Sequence, residues 1–330
     1  YFNGALNNDL LIVPKPYYFY SLHANNLNVK KLLGMKDDIL VSFASDMSGE
    51  GMSKNDANLE VNFNIEKLKL FNNNFSNIDV NGIYKNQKLT ASTNIKSELI
   101  GLDFDGTMDI SDEKPSFIVD ANIDKADLNR LNILKLNDKM LLTTELKSEF
   151  YGSDIDDMLG NVILRNTSYT DNRGTYFMDS LNLTLTNNDF NSKDVRLICD
   201  FFNLDIKGIF NFRNIDNTFK NYVLNHFHID KWTTKGVRLP AENQEFYVNM
   251  NLKNTETLSR LLLPNLTVSE NTVLTATFTS NNYQLHSTLE SDEITYNGII
   301  FSDVYVKNKT EKDKTTLNIN LKDFIFKQKS

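Results

Sequence analysis

Apolar and polar residues alternate one by one along most of this chain. "NLEVNFNIEKLKL" puts Leu59, Val61, Phe63 and Ile65 on one side and Glu60, Asn62 and Asn64 on the other. "EFYVNMNLK" repeats this with Phe246, Val248, Met250 and Leu252, "DSLNLTLTN" with Leu181, Leu183 and Leu185, and "KTTLNINLKDFIF" with Leu317, Ile319 and Leu321. Period two is the signature of a strand with one buried and one wet face. Strands of a parallel α/β sheet are covered on both faces and read as unbroken apolar runs. The pattern therefore predicts an all-β chain.

Turn-forming clusters punctuate the strands: Asn72-Asn73-Asn74, Ser111 to Pro115, Asn187-Asn188-Asp189, Ser280-Asn281-Asn282, and Lys307 to Lys314. The intervals are too short for crossover helices, so an antiparallel meander is expected. Helical patches are few: Tyr20 to Leu33, Lys125 to Leu131, Ile155 to Leu159, Thr218 to Phe227 and Glu256 to Leu263. Asp124, Ser153 with Asp154, Asp216 with Asn217, and Asn254 with Thr255 are candidate N-caps.

Two elements recur at irregular intervals. The first, apolar-x-apolar-x-Gly-x-apolar, occurs at Ile78 to Tyr84, Leu102 to Met108, Leu204 to Phe210 and Ile294 to Ile300. Gly inside a strand often marks a bend, so these copies predict repeated curvature. The second is Phe-x-Asn/Asp before an alternating strand, in "FSNIDVNG", "FMDSLNLT" and "FSDVYVKN". Residues 1–56 read as a lead-in segment with a short helix and the first strands. Residues 57–330 read as one continuous repetitive β-groove with a hinge near 232–245, where "GVRLPAENQEF" loses the alternation.

Composition narrows the function. The net charge of −8 and the absence of a Lys/Arg stripe exclude nucleic acid as a partner. Cys199 is alone, so neither a disulfide framework nor a Cys-rich metal site is expected. Tyr1 in place of an initiator Met reads as a fragment or processed product, and no apolar run approaches the ~20 residues of a spanning helix.

One string looks chemical. Asp103, Asp105, Gly106 and Thr107 in "LDFDGTMDIS" spell D-x-D-G-T, which resembles the signature of haloacid-dehalogenase-like phosphotransferases, where the first Asp is nucleophile and the second general acid/base. That motif belongs after an apolar strand of a doubly wound sheet. Here alternation runs straight through it, and the internal copies replace the Asp pair by Asp79/Asn81, Asp205/Lys207 and Thr295/Asn297. The acidic pair in "DIDDM" follows no apolar strand. The match reads as coincidence, with phosphotransfer through Asp103 and Asp105 a remote alternative. His226 and His228 lack further ligands nearby in sequence, no G-x-S-x-G, phosphate loop or H-E-x-x-H is present, and scattered carboxylates do not make a glycosidase. No enzyme, cofactor or metal is expected.

A long meander that is apolar on one face must hide it: in a sandwich, in a barrel, or lengthwise as a trough around a lipid chain. Each methylene removed from water contributes ~0.8 kcal/mol, so an acyl chain is a sensible occupant. Leu59, Val61, Phe63, Leu102, Phe104, Met108, Leu181, Leu183, Leu204, Ile206, Phe246, Val248 and Met250 are the candidate lining. A structural or adhesive β-sandwich protein is the alternative.

The phrases "PSFIVDANIDKADLNRLNI", "GSDIDDMLGNVILRNTSYTDNRGTYFMDSLNLTLT", "FYVNMNLKNTETLSRLLLPNLTV" and "LESDEITYNGIIFSDVYV" resemble the repeat region of the TamB translocation and assembly modules. These are AsmA-like proteins similar to bridge-like lipid-transfer proteins, and the likeness is to the Bacteroidota type. It spans most of residues 57–325 and rests on texture, not on a catalytic motif. It implies an elongated, curved antiparallel sheet forming a groove, a β-taco, with a few short helices. It implies a periplasmic protein tethered to the inner membrane by a segment not present in this chain. Phospholipid acyl chains would be carried between inner and outer membrane in outer-membrane biogenesis, with an outer-membrane barrel protein as partner through regions outside this chain.

Overall fold

The computed structural model describes residues 2–6, 16–30, 39–70, 73–134, 139–188, 192–215, 217, 218, 220, 222, 243–263, 265–281, 284–311 and 314–326. The fold is all-β. The strands among these residues belong to one open antiparallel sheet, with little helix.

Contacts divide the chain into two units. The first holds Tyr1–Gly152 and Ile163–Phe177, the second Ser153–Val162 and Met178–Ser330. The first contains β1 (Phe2–Leu6), β2 (Tyr17–Asn28), β3 (Leu40–Glu50), β4 (Asn58–Leu70), β5 (Asn73–Phe75), β6 (Ile78–Lys85), β7 (Lys88–Lys96), β8 (Ile100–Asp109), β9 (Ser116–Asp127) and β10 (Leu141–Tyr151). It also takes the end of β11 (Leu159–Asp171) and the start of β12 (Gly174–Asn187). The second contains the rest of β11 and β12, then β13 (Lys193–Cys199), β14 (Phe202–Ile209), β15 (Glu245–Leu252), α1 (Glu256–Leu262), β16 (Leu266–Val268), β17 (Val273–Thr279), β18 (Gln284–Tyr296), β19 (Ile299–Glu311), β20 (Lys314–Asn320) and β21 (Asp323–Phe326). Within each unit nearly every strand pairs with its neighbour in sequence, as short hairpin links require.

Several local expectations change. Tyr20 to Leu33 was expected to be helical, yet Tyr17–Asn28 is strand β2: its aromatic and apolar residues pair with β3 at every other position. The expected helix at Lys125 to Leu131 is the end of β9 and a hydrogen-bonded turn, in which Leu131 N donates to Asp127 O and Ile133 N to Leu128 O. Ile155 to Leu159 is a turn built on Asp157, whose carboxylate accepts from the Ser153 and Asp154 amides, and β11 opens at Leu159. These patches are too short for a helix to survive competition from a strand ladder or an Asp turn. Lys307 to Lys314 was expected to be a turn, but β19 continues to Glu311. The helix expected at Glu256 to Leu263 forms as α1, although Thr255 does not cap it through its side chain. Thr255 Oγ1 donates to Val268 O, and Asn254 Oδ1 accepts from the Glu256 amide. From Thr218 to Phe227, residues 218, 220 and 222 are helical and the others lie outside the described residues, as do Trp232, His226, His228 and most of the expected hinge.

Curvature comes from a different source than the glycines. Register shifts occur between Ala24 and Leu27 of β2, at Ser42/Phe43 of β3 against β4, at Gly101/Leu102 of β8 against β9, and between Leu142 and Thr144 of β10. Ser76-Asn77 interrupts the β5–β6 run where both pair with β4. The pairings put these irregularities at one level in successive strands. Asn26 and Asn77 there have φ of 50° and 55°, a left-handed conformation that Asn tolerates better than most side chains. Asn166 of β11, φ 49°, belongs to the same level: its neighbour Thr167 bonds Thr144 at 2.8 Å. A bulge bends and twists its strand, so a row of them creases the sheet of the first unit along a line crossing the strands.

Each bulge also shifts the alternation by one residue. Ile65 is followed on the same face by Leu68 and Leu70, and Ile123 by Ala126 and Leu128. Past the crease these residues pack. Phe75, Ile78 and Leu99 form one buried cluster with Ile65, Leu68 and Leu70; Ala126, Leu128 and Met140 form another with Ile123, Leu142 and Tyr169.

Candidate functional site

The pairing register builds the apolar face row by row. In the first unit, Leu59, Tyr84, Leu89, Met108, Phe117 and Phe150 face one another across six strands. The next row is Val61, Gly82, Ala91, Gly106, Val119 and Ser148, and the third is Phe63, Val80, Thr93, Phe104, Ala121 and Leu146. No charged residue stands in these rows. The central row is the smallest: a Cβ built on Gly82 would meet nothing nearer than 3.8 Å. On Gly106 a Cβ would lie 2.6 Å from the Phe104 ring, so Phe104 lies back along its own strand and Gly106 gives it room. This is the role of Gly in "LDFDGTMDIS". Gly106 is in regular register and bends nothing.

The second unit repeats the arrangement. Leu183, Leu197, Leu204, Met250, Leu274, Leu289, Val306 and Ile319 form an unbroken apolar row over eight strands. Leu185, Val195, Ile206, Val248 and Ala276 stand beside it. At its edge Gly208 has φ +147°, and a Cβ there would be 2.1 Å from Glu245 O, so β14 and β15 can approach only with glycine. The fourth expected Gly copy is not one: Asn297-Gly298 is the two-residue turn joining β18 and β19, with φ of 51° and 82°, as a hairpin demands.

The opposite faces are polar and laced together. In the first unit Asn64 Nδ2 donates to Asp79 at 2.7 Å, Lys147 pairs with Asp120 at 2.8 Å and Lys88 with Asp109 at 2.9 Å. The Ser111 hydroxyl and amide, then Lys88, pull the Asp109 carboxyl down to about 2. In the second unit Arg196 pairs with Asp205 and Lys207 with Asp194.

Ten of the thirteen sequence-derived lining residues lie in these apolar rows, Leu59, Val61, Phe63, Phe104 and Met108 in the first unit and Leu183, Leu204, Ile206, Val248 and Met250 in the second; Leu102, Leu181 and Phe246 stand at alternate positions of the same strands, in neighbouring rows. Leu183, Leu204 and Met250 are neighbours in one row, and Ile206 and Val248 in the next. Phe63 is 38 % exposed and most of the others are half-buried. Sequence reasoning missed Val80, Leu89, Phe117, Leu274, Leu289 and Val306, which complete the rows. Their strands carry Thr, Ser and Asn among the inward positions, which weakens the alternation; Tyr84 and Val80 were visible in the first Gly copy.

Asp103 and Asp105 are mid-strand on the polar face of β8 and exposed; Asp103 accepts a hydrogen bond from Asn94 Nδ2. A nucleophile of the resembled phosphotransferase kind would stand at a strand end. The acidic pair of "DIDDM" is used in packing. Asp156 accepts from the Phe212 amide at 2.6 Å and pairs with Lys193 at 3.3 Å, and Asp154 pairs with Arg213.

The arrangement has one physical property that matters for function. Among the described residues, the substantial interfaces between elements run between strands adjacent in the sheet, with α1 on β16 as the exception. Most described residues of the apolar rows are half-buried, where the core of a closed sandwich would be fully buried. Comparison with protein-family models, curated proteins and solved structures finds no match to this chain.

Proposed function

We propose that the apolar sheet face is a bed for phospholipid acyl chains, and that the chain is a segment of a periplasmic lipid conduit of the TamB/AsmA-like kind. It would carry phospholipid between inner and outer membrane and be tethered by a segment outside this chain. An outer-membrane barrel protein would be met through regions likewise outside it. The observation that carries this reading is the sheet whose charge-free apolar rows run across many strands and, among the described residues, stay mostly half-buried. An exposed apolar surface of this extent marks a binding site. The rows run perpendicular to the strands, so a flexible chain lying along them meets apolar side chains strand after strand. At ~0.8 kcal/mol per buried methylene, a handful of methylenes already gives a useful affinity.

The resemblance of residues 57–325 to TamB repeat regions supports the same reading. A closed sandwich would instead bury the rows of one sheet against those of another.

The test is extraction and mass spectrometry of lipid from the purified chain, beside a variant carrying Val80→Glu and Phe104→Glu. Bound phospholipid that falls several-fold in the variant is expected. A lipid-free protein that also takes up no fatty acid from solution would sink the proposal.

A further inference from the structure

The meander repeats one step in three places. Gly82, Leu183 and Asn308 each stand seven residues past an aromatic residue, Phe75, Tyr176 and Phe301. Asn77 and Asp303, two residues past the first and last of these, have φ of 55° and 51°. The following strand sets Ala91 opposite Gly82, Leu197 opposite Leu183 and Leu317 opposite Asn308. β7, β13 and β20 are therefore equivalent strands. On the first two the chain adds another antiparallel strand: Gly106 of β8 pairs with Ala91, and Leu204 of β14 with Leu197. Among the described residues, β20 has β19 as its ladder partner on one side and none on the other where β8 or β14 would stand. Leu317 and Ile319 are 57 % and 56 % exposed, whereas Ala91 and Leu197 are half-buried.

An open strand edge invites another strand, and proteins blunt it with charge, proline or a bulge. Thr315 to Asn320 carry neither charge nor Pro, and the β19–β20 ladder runs without a register shift. The strand also fits itself. Laid antiparallel to β20 of a second copy with Leu317 opposite Leu317, it matches all seven of its residues: Thr315 faces Ile319, Thr316 faces Asn318 and Lys314 faces Asn320. No like charges meet. A shift of two residues one way opposes Lys314 to Lys322 of the second copy, and the other way carries Ile319 past the end of the strand. Like charges directly opposite are destabilising, and an odd shift sets an apolar face beside a polar one. A two-fold axis at Leu317 keeps both apolar faces on one side, and an interface of that kind closes at two chains.

We propose that the open edge of β20 is a self-association site, at which two copies of the chain join β20 to β20 in one antiparallel ladder. This goes beyond the acyl-chain reading and does not depend on it.

Light scattering of the chain at high-micromolar concentration should give twice the chain mass. Leu317→Lys puts two like charges opposite each other and should raise the dissociation constant on the order of ten-fold or more. Leu317 is exposed, so the circular dichroism of the variant should match wild type. Leu317→Glu should behave alike, and an equal mixture of the two variants should dimerise again, which misfolded chains would not do. Leu317→Cys should oxidise to a covalent dimer, because opposed Cα atoms of an antiparallel pair lie about 4.5–5.5 Å apart, within disulfide reach. Asn318→Cys, opposite Thr316, should not. Cys199 is 3 % exposed and does not compete. A wild-type chain that stays monomeric overturns the proposal, and so does a dimer that Leu317→Lys leaves intact. A monomeric chain that instead binds a synthetic peptide of the Phe202–Ile209 sequence overturns it in favour of a strand from another protein.

Discussion

The two units treat the same problem differently. Each has an apolar face that an antiparallel ladder leaves uncovered. In the first unit the sheet bends upon itself: bulges line up at one level, and past them Leu68, Phe75, Ala126, Leu128 and Met140 close into small cores. Among the described residues of the second unit, the ladders from β12 to β21 carry no register shift, and the Tyr222 side chain covers part of the face at Phe278 and Thr310. A strand face can be hidden by geometry or by a guest. The first is written into backbone conformation at a few residues, the second into a contact between residues far apart in the chain.

The largest expected break in this comparison is Met140→Ala. Met140 is almost fully buried beside Ala126 and Leu128, so truncation should cost about 2–5 kcal/mol. Hydrogen exchange should place the loss in β9 and β10 and leave the second unit's protection unchanged; a global loss would mean the units do not behave separately.

Next comes the glycine pair, which reads alike in sequence. Gly208→Ala drives a Cβ into the β15 backbone at positive φ and should cost about 2–3 kcal/mol. Gly106→Ala meets the far end of the Phe104 ring, which can swing aside, so its cost should stay under about 1 kcal/mol. Denaturant midpoints of the two variants decide it, and equal costs would refute the distinction.

At the crease, Asn77→Val puts a β-branched residue at φ 55° and should cost about 1–2 kcal/mol. Asn77→Gly should recover most of that loss, because Gly adopts positive φ without a steric penalty. If both variants match wild type in thermal unfolding, the left-handed residue is not what makes the bend.

The smallest effect is acidic. Asp109 is depressed from 3.8 to about 2, first by the Ser111 hydroxyl, then by the Ser111 amide and Lys88. A lowered carboxylate contributes stability that is fully present above the unfolded value and lost as pH falls through the folded one. The contribution should therefore fade between about pH 4 and 2, and Asp109→Asn should flatten that part of the stability profile. An unchanged profile would show the contacts to be without weight.

Much of this was legible in the chain. Period-two alternation is local, since each residue's face follows from its neighbours, and it correctly placed Leu59, Val61, Leu183, Leu204 and Val248 on one side. The phase slips in "NIEKLKL" and "NIDKADL" were also there to read: two polar residues stand where one would keep the period. They record the bulges. The Phe-x-Asn/Asp element marks the same backbone feature in two of its three copies, with Asn77 and Asp303 at positive φ. Helices were over-read at Tyr20 and Ile155, because short amphipathic windows fit both periods and the ladder partner decides between them.

By itself the sequence determined the strand class, the antiparallel order and which side of each strand is apolar. These depend on residues a few positions apart and on short links. The tertiary structure alone decided that the bulges fall at one level, that Val61, Gly82, Ala91 and Gly106 stand in one row, and that Tyr222 reaches Thr310, 88 positions away. Register sets all three, and register is a sum of contacts between distant segments that no local pattern contains.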